Sequence, residues 1–405
     1  MAAGVATPLK ARLAAAALVA PLLLFLLGVF VLPIGAFLFR AVQESDVAPV
    51  LPRTVAALSA WDGAAPPGEA AFAALVEDLR EARARDQQSG GGEVARASAR
   101  LNADLPGFRS LLPMTARRVA APFEGEARAA VLAISEEWGA IAPWAAIRRA
   151  GGPVSDFNLL AVLDLKRDAT GGLGTAPPDE AIFRAILWRT LWMGVLATAI
   201  CLAIGYPLAW LIATAPPRAV PWLMAGVLLP FWTSLIVRTA AWMVLLQREG
   251  VVNAALGALR LVEEPLPLLF NRGAVLLAMV HILLPFMVLP IYASLKSLDW
   301  RLPRAAVSLG ASPARAFRRV TLPLSLPGVG AGCLLVFIQA LGFYVTPALL
   351  GGANDQMLPY FVAFYASRTV NWGMAAALSC LILAAVAVIL AVYGRLVGFS
   401  RMRPA

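Results

Sequence analysis

The stretch RAAVSLGASPARAFRRVTLP (residues 304–323) stands out in a chain that is 60% hydrophobic and has a mean hydropathy of +0.75. It is studded with arginine and divided near its middle by Gly310. Pro303, just before it, is suited to the first turn of a helix. Two uncharged runs, residues 273–295 and 320–354, flank it and are long enough to cross a bilayer. The sequence therefore places a basic, two-part segment between two membrane spans.

Local residue preferences predict that this segment is a short helical hairpin. Gly310 suits the left-handed residue that ends a first helix. Ser312 and Pro313 suit the N-cap and the first position of a second helix. Pro323 and Pro327 are expected to stop that second helix before the next span. Such a hairpin would expose a small-residue and aromatic surface rimmed by arginines, which is suited to docking a rigid partner.

Composition indicates a membrane protein. Only 14% of the 405 residues are charged, whereas soluble domains carry about a quarter. A helix rises 1.5 Å per residue, so about 20 apolar residues cross roughly 30 Å of hydrocarbon. We interpret the first run as a retained span rather than a signal peptide, because its apolar core is too long. The six predicted spans are residues 13–39, 190–217, 219–247 (interrupted by Arg238), 273–295, 320–354 (with its helix beginning near Gly328) and 369–394.

The distribution of positive charge predicts the orientation of the spans. Twelve lysines and arginines fall in the short segments on the side of the N-terminus, and four fall in the short loops on the other side. Positively charged loops stay in the cytoplasm, so both termini are expected to be cytoplasmic. The net charge of +10 is therefore mostly a matter of topology. No basic patch with interleaved aromatics indicates a nucleic-acid partner.

The organisation along the chain is predicted in three parts. Residues 1–43 form a tail and the first span, and residues 185–405 form a five-helix core with a cytoplasmic loop at 297–327. Between them, residues 44–184 form an extracytoplasmic insertion that holds 19 of the 24 acidic residues. Helical spacing in it predicts amphipathic helices through Phe72, Leu75, Val76 and Leu79, and through Val131, Ile134, Trp138 and Ile141. Glycine and proline predict flexible linkers at 87–93 and 170–180. The insertion is either a spacer or a contact for a soluble partner.

The hairpin resembles the "EAA" loop of ABC importer permeases. The matching residues are Ala305, Ala306, Gly310, Ala311, Phe317, Val320, Leu322 and Pro323. The resemblance implies that these residues couple the spans to a groove on a cytoplasmic ATPase. Arg304 is assigned to the same contact, although the family usually has glutamate at that position.

Other segments resemble the spermidine/putrescine-type branch of these permeases. They are GYPLAW (205–210), LPFWTSLIVRTAAW (229–242), LLPFMVLPIYASLKSLD (283–299) and YVTPALLGG (344–352). The resemblance implies an all-α integral membrane protein with six transmembrane helices in the type I ABC importer permease fold. It also implies a bacterial inner-membrane location and three kinds of partner: a cytoplasmic ABC ATPase dimer, a second permease subunit and a periplasmic solute-binding protein.

The chain lacks the sequence features needed to power transport itself. A phosphate-binding P-loop needs lysine after glycine, but Lys10, Lys166 and Lys296 each follow a leucine. We therefore expect no cofactor in this chain, with ATP and magnesium bound by a partner ATPase. Ion-driven transport normally requires an acidic residue within the membrane, and the six predicted spans contain none.

Polar and aromatic residues in the third and fifth spans suggest a substrate pathway. Arg238 is the one charged residue in the predicted spans, and such charges are functional by default; the alternative is a structural arginine bonded to carbonyl groups. The full set of candidates is Trp232, Thr233, Arg238, Gln339, Phe343 and Tyr344. The resemblance implies an acidic residue at the position of Phe343 for a polyamine substrate. Its replacement favours an anionic or zwitterionic solute.

The predicted function is a permease subunit of an ATP-driven, binding-protein-dependent importer of a small polar solute. The alternative is a membrane scaffold or sensor that binds a partner through residues 44–184. An enzyme is disfavoured, since no cluster of acidic, histidine or metal-binding residues is found in the sequence. His281, the lone histidine, is interpreted as a satisfied interior residue, and no metal site is expected.

Overall fold

The computed structural model describes residues 9–43, 46–123, 125–167 and 172–397. It divides into two compact units. The first unit comprises Met1–Ala181 with Val370–Cys380, and the second comprises Ile182–Thr369 with Leu381–Ala405.

The described part of the first unit is mostly helical and has one small antiparallel sheet. Its sheet pairs β1 (Leu165–Arg167) with β2 (Leu173–Thr175). Its helices are α1 (Leu9–Leu26), α2 (Leu32–Phe39), α3 (Pro52–Leu58), α4 (Glu69–Ser89), α5 (Glu93–Asp104), α6 (Phe108–Arg118), α7 (Ala127–Ile134), α8 (Ile141–Ala150) and α9 (Phe157–Ala161). A five-residue π turn joins α1 to α2, so that the apolar helix is continuous across residues 17–39.

An aromatic cluster forms the core of the polar insertion. The Trp144 ring lies 4.6 Å from the ring of Phe72 and 5.3 Å from that of Trp138, centroid to centroid. The Trp138 indole N–H donates to Thr115 Oγ1 at 3.0 Å, and the Trp144 indole N–H donates to the Trp138 carbonyl at 2.8 Å. Both buried indoles therefore have hydrogen-bond partners, which removes the cost of burying a polar group.

The helical spacing around Phe72 is confirmed by α4, whose apolar face is buried in this core. The single helix predicted through Val131 and Ile141 is wrong. The backbone of Ser135 is extended, and its hydroxyl accepts a hydrogen bond from the Glu137 N–H. A 3₁₀ turn over Glu136–Gly139 follows, so that α7 and α8 are separate. Apolar spacing alone could not show this break, because both helices and the turn bury their apolar side chains together.

The linkers predicted at 87–93 and 170–180 are also shorter than expected. Residues 87–89 belong to α4, and the Asp86 carboxylate accepts hydrogen bonds from the Glu93 and Val94 N–H groups. These bonds cap α5 and hold a tight corner at Gly90–Gly92. In the second region β2 pairs with β1, and residues 170 and 171 lie outside the described residues.

The second unit is built from long apolar helices with short helices between them. Its helices are α10 (Phe183–Thr214), α11 (Val220–Leu228), α12 (Leu235–Leu246), α13 (Val251–Ala258), α14 (Arg272–Lys296), α15 (Arg301–Ser308), α16 (Pro313–Ala316), α17 (Leu322–Leu341), α18 (Val345–Leu350) and α19 (Leu358–Ser367). The last helix, α20 (Trp372–Val397), begins in the first unit and ends in the second.

Five described helices are long and apolar enough to cross a membrane, and a bent pair brings the number to six. The third predicted span, over residues 219–247, is present as a sharply bent pair of helices. Val220–Trp232 and Leu235–Ala258 meet at an angle of 97°. Ser234, in extended conformation, caps α12 by accepting a hydrogen bond from the Val237 N–H. The bend thus follows from a polar cap inside an otherwise apolar sequence, and hydropathy does not detect it.

The fifth span also differs from the prediction. The helix does not begin near Gly328 but runs from Pro313 to Leu341 without a gap. A π turn over Phe317–Thr321 joins α16 to α17, and the Leu322 N–H donates to the Phe317 carbonyl. Pro323, which has no N–H to donate, follows directly after this i→i−5 bond. The prolines therefore alter the hydrogen-bond pattern instead of ending the helix.

Close packing of α10, α14 and α17 forms the core of the second unit. A Cβ on Gly328 of α17 would lie 2.4 Å from the Ser294 Cβ and 2.6 Å from the Pro290 carbonyl oxygen of α14. Small residues let helix backbones approach closely, which is a main source of helix association in membranes. Gly328 is therefore a packing requirement between these two helices.

We expect Gly328→Ala to destabilise the protein by about 1–3 kcal/mol, because the added methyl overpacks the α14–α17 contact. The matched control is Gly226→Ala, in α11, where an added Cβ meets no atom within 4 Å. That change should be neutral or stabilising by up to about 1 kcal/mol, since alanine favours helix. Thermal unfolding in detergent micelles measures both. Equal transition temperatures for the two variants would contradict the packing argument.

Candidate functional site

The hairpin has the cap that the sequence predicted. Gly310 has φ of +91°, in the left-handed region. The Ala311 N–H donates to the Ala306 carbonyl at 3.1 Å, and the Gly310 N–H donates to the Val307 carbonyl at 3.0 Å. These two bonds form a Schellman motif, which ends α15 and reverses the chain. Glycine is favoured there because it adopts positive φ without steric cost.

The second arm of the hairpin is rigidly continuous with the fifth span. Ser312 is extended, with ψ of 151°, and Pro313 begins α16. The N-cap position of Ser312 is confirmed, although its side chain makes no capping hydrogen bond. The helix then continues through the π turn into α17. The second arm of the hairpin and the fifth span are therefore one continuous helix.

Phe317 fastens the hairpin to α10. Its ring stacks on Trp210, with centroids 4.5 Å apart and planes 13° apart, and lies 5.9 Å from the ring of Tyr206. The Tyr206 hydroxyl is 2.9 Å from Ser325 Oγ of α17. The aromatic side chain that was expected on an exposed surface is half-buried, and it also lines the cleft between the arms of the hairpin. Packing against the GYPLAW segment makes it an internal anchor.

The exposed part of the hairpin is small, apolar and basic. Arg304 and Ala305 are exposed, Ala306 and Ala311 are half-buried, and Leu309 is 89% exposed. Beyond the anchor, Val320 and Leu322 are half-buried and Pro323 is exposed. A cleft of about 460 Å³ opens between the arms, lined by Trp210, Trp300, Pro303, Arg304, Val307, Ser308, Pro313, Ala316, Phe317 and Thr321.

A second cavity, of about 440 Å³, lies within the helices of the second unit. Its lining residues are Phe231, Leu235, Arg238, Ile282, Leu283, Phe286, Gln339, Gly342, Phe343, Tyr344 and Val345. Four predicted pathway residues therefore come together from two separate segments, Arg238 from α12 and Gln339, Phe343 and Tyr344 from residues 339–344. Trp232 and Thr233 do not line it. They lie at the bend before α12, and the Trp232 side chain is 76% exposed.

Sequence reasoning missed two aromatic residues of this cavity. Phe231 and Phe286 pack edge to face, with centroids 5.0 Å apart. Phe231 precedes Trp232 in the LPFW segment, and Phe286 follows Pro285 in the LLPF segment. These neighbours in the sequence were the only signal of their location. Their contact joins the bent third span to α14.

Arg238 is the cationic group of the cavity lining. It is half-buried, and its Nε donates to the Ser234 carbonyl of its own turn at 3.5 Å. Among the residues that the structure describes, no carboxylate lies within ion-pair distance of it. The geometry of Arg238 is compatible with a structural role, because it bonds a backbone carbonyl, and with a place on a substrate pathway, because it lines a cavity. The lining adds one amide, from Gln339, and no acidic side chain.

His281 has a structural partner. Its Nδ1 accepts a hydrogen bond from the Trp242 indole N–H at 3.2 Å. Within the described ranges, no group of three or more histidine, cysteine or acidic side chains could hold a metal ion. The interior histidine is therefore explained by packing between α12 and α14.

Polar contacts that the sequence did not predict lie at the other end of the bundle. Arg272, at the start of α14, donates from Nε to Asp355 Oδ1 at 2.7 Å. The Leu358 N–H donates to Thr190 Oγ1 of α10 at 2.9 Å. Asp355 is buried although it is polar. The loop before α19 is thus tied to two long helices.

These features together define a class of protein. Apolar helices long enough to span a membrane, a cavity between them with few polar groups and a hairpin continuous with one span are the features of a membrane permease. The chain belongs to the family described as binding-protein-dependent transport system inner membrane component, whose model matches residues 205–399. It is therefore a multi-pass inner-membrane protein and a permease subunit of such a system. The predicted fold class is confirmed.

Curated relatives agree with the family. The chain is 35% identical, over 216 residues, to the spermidine/putrescine transport system permease protein PotB of Escherichia coli strain K12, covering 53% of this chain and 78% of that protein. It is 38% identical over 216 residues to PotB of Haemophilus influenzae, covering 53% and 75%. A solved structure of a bacterial ABC transporter involved in the import of the acidic polysaccharide alginate matches with a TM-score of 0.48 and 18% identity, over 55% of this chain and 80% of that chain.

We expect Phe317→Ala to loosen the hairpin, because the stack on Trp210 is lost at a cost of about 2 kcal/mol. Hydrogen–deuterium exchange in micelles should show faster exchange of residues 301–316. The matched control is Leu309→Ala, on the same hairpin, where the side chain is 89% exposed. Unchanged exchange in the Phe317 variant would show that the stack does not hold the hairpin.

Proposed function

We propose that the chain is the permease subunit of an ATP-driven importer of a small polar solute. A pair of cytoplasmic ABC ATPases docks under residues 301–323, a periplasmic binding protein delivers the solute, and a second permease subunit completes the pathway. The observation that carries this proposal is the unbroken helix Pro313–Leu341, which makes the exposed hairpin and the cavity-lining span one mechanical element.

The positive charge of the hairpin supports the proposed orientation of the chain in the membrane. Arg301, Arg304, Arg315, Arg318 and Arg319 are exposed around the hairpin. Their number supports a cytoplasmic position for this end, and with it cytoplasmic termini, by the positive-inside rule. The insertion then lies on the extracytoplasmic side of the membrane.

The coupling mechanism uses two contacts of the hairpin. Movement of the ATPase pair displaces α15, whose orientation is fixed by the left-handed cap at Gly310. The displacement passes directly into α17 through the continuous helix, and into α10 through the Phe317–Trp210 stack. Because Gln339 of α17 lines the cavity, the same movement changes the cavity walls. Alternating access to the solute results.

The source of energy lies in the partner. The lysines of this chain lack the glycine-rich context of a phosphate cradle. We therefore assign ATP and magnesium to the partner ATPase and no covalent chemistry to this chain.

The solute class is proposed from the cavity. PotB relatives are named for spermidine and putrescine, which are polycations. The cavity lining instead combines the Arg238 guanidinium, the Gln339 amide and three phenylalanines, and it contains no acidic group. A cation such as Arg238 favours carboxylate or phosphonate oxygens. These observations support a small anionic or zwitterionic solute with an apolar part.

We expect Gly310→Val to abolish the stimulation of ATP hydrolysis by the loaded binding protein, while the protein still inserts into membranes. Left-handed backbone costs a non-glycine residue about 1–2 kcal/mol, and valine is among the least suited to it, so the hairpin would reorient. Gly310→Asn is the matched control, because asparagine tolerates this conformation. The assay is ATPase turnover of the complex in proteoliposomes. Normal stimulation in the valine variant would argue against the docking role.

We expect Arg238→Gln to lower uptake of the transported anion or zwitterion about tenfold or more, because a charge-assisted hydrogen bond contributes about 1.5–3 kcal/mol. Uptake into proteoliposomes is compared for amino-acid derivatives, organic anions and spermidine. Arg248→Gln, in an exposed loop beyond α12, is the control. Uptake of spermidine alone, unaffected by Arg238→Gln, would refute the proposed solute class.

A further inference from the structure

A cavity of about 360 Å³ lies in the first unit, in the polar insertion that the family match leaves uncovered. It forms where α5, α8, α9 and β1 meet. Its volume falls within the range of small-molecule sites, which is roughly 300–1,000 Å³. The polar and charged lining residues are Arg100, Asp104, Arg149, Ser155, Asp156, Lys166 and Arg167. Four of these side chains are cationic and two are carboxylates.

Arg100 forms the buried wall of the cavity. Its side chain is only 6% exposed. The guanidinium lies 3.7 Å above the centroid of the Phe157 ring, contacts Asp104 Oδ2 at 3.2 Å and donates to Ser155 Oγ at 3.3 Å. A buried arginine is costly to keep charged unless its partners hold it. These contacts fix the guanidinium in one orientation before any ligand arrives, and such preorganisation favours binding.

A second arginine–carboxylate pair, Arg167 with Asp156, also lines the cavity. Arg167 of β1 donates from Nε and Nη2 to Asp156 Oδ2, at 3.2 and 2.5 Å. The hydrogen bond and the charge of Asp156 raise the pKa of Arg167 above its ordinary value. Asp104 forms an ion pair with Arg100, whose Nη1 lies 3.2 Å from Asp104 Oδ2. Each lining carboxylate is therefore already neutralised by an arginine of the wall.

Lys166 supplies a positive charge that these pairs do not neutralise. It lies beside Arg167 on β1 and lines the cavity. Among the described residues its ammonium group makes no ion pair or hydrogen bond. An ammonium group at the edge of a small cavity with a fixed guanidinium in its wall is suited to an anionic ligand. The ring of Phe157 and the side chain of Leu160 add apolar surface.

We propose that this cavity is a binding site for a small anion that presents carboxylate or phosphate oxygens to Lys166 and the arginine wall. The site is separate from the cavity of the second unit, and it does not depend on the proposed transport function. It gives the insertion a ligand of its own.

The test uses the full chain purified in detergent micelles. Isothermal titration calorimetry with citrate and with inorganic phosphate, at ionic strength held constant with sodium chloride, separates carboxylate from phosphate ligands. We expect saturable binding of at least one of them. Lys166→Gln should weaken that binding about tenfold or more, the effect of losing one charge-assisted bond, and Lys166→Arg should retain it.

The matched control is Arg117→Gln, which removes an exposed positive charge of the same unit outside the cavity and should leave binding unchanged. Lys166 is only partly buried, so its variants should fold, and circular dichroism checks this. The proposal is overturned if neither anion binds saturably, or if Lys166→Gln and Arg117→Gln weaken binding equally. It is also overturned if spermidine binds saturably and Asp156→Asn abolishes that binding, because the cavity would then recognise cations.

Discussion

The helix from Pro313 to Leu341 must satisfy its backbone hydrogen bonds although prolines lie along it. In hydrocarbon an unsatisfied N–H or C=O group costs several kcal/mol, so each hydrogen bond that a proline removes has to be compensated nearby. The π turn at Phe317–Thr321 resolves the conflict by shifting the bonding pattern ahead of Pro323. One continuous element results, with the basic hairpin at one end and Gln339 of the cavity lining near the other. The coupling mechanism that we propose depends on this continuity, since a flexible joint at the prolines would absorb the movement.

The second unit combines a tightly packed part with a bent part. Glycines let α10, α14 and α17 approach so closely that even a methyl group at Gly328 would overlap α14. The third span instead turns by 97° after Trp232. The cavity lies between these two parts, with Arg238 on the bent side and Gln339 on the packed side. In the proposed mechanism the packed helices would move as one rigid wall, and the bend would let the opposite wall adjust to that movement.

The two cavities have different electrostatic designs. The one in the second unit is lined mostly by apolar and aromatic side chains and contains a single guanidinium, Arg238. The one in the first unit is lined by arginine–carboxylate pairs with Lys166 at its edge. In a medium of low dielectric constant a single charge interacts strongly enough to dominate the choice of ligand. In a solvated pocket water and salt screen each charge, so several charges are needed to orient a ligand. Each design therefore fits its surroundings, apolar helices in one case and a polar insertion in the other.

The sequence by itself determined the class of protein, the number of apolar runs, the hairpin and its glycine cap, because hydropathy, charge and turn preference are local properties. It also predicted residues such as Arg238 and Gln339, since polar groups are conspicuous in apolar runs. Tertiary structure decided what these residues contact. Phe317 was expected on an exposed surface and instead packs on Trp210, because an aromatic ring finds its partner through packing between distant helices. The bend after Trp232 and the cavity in the insertion likewise depend on long-range packing, which local patterns do not encode.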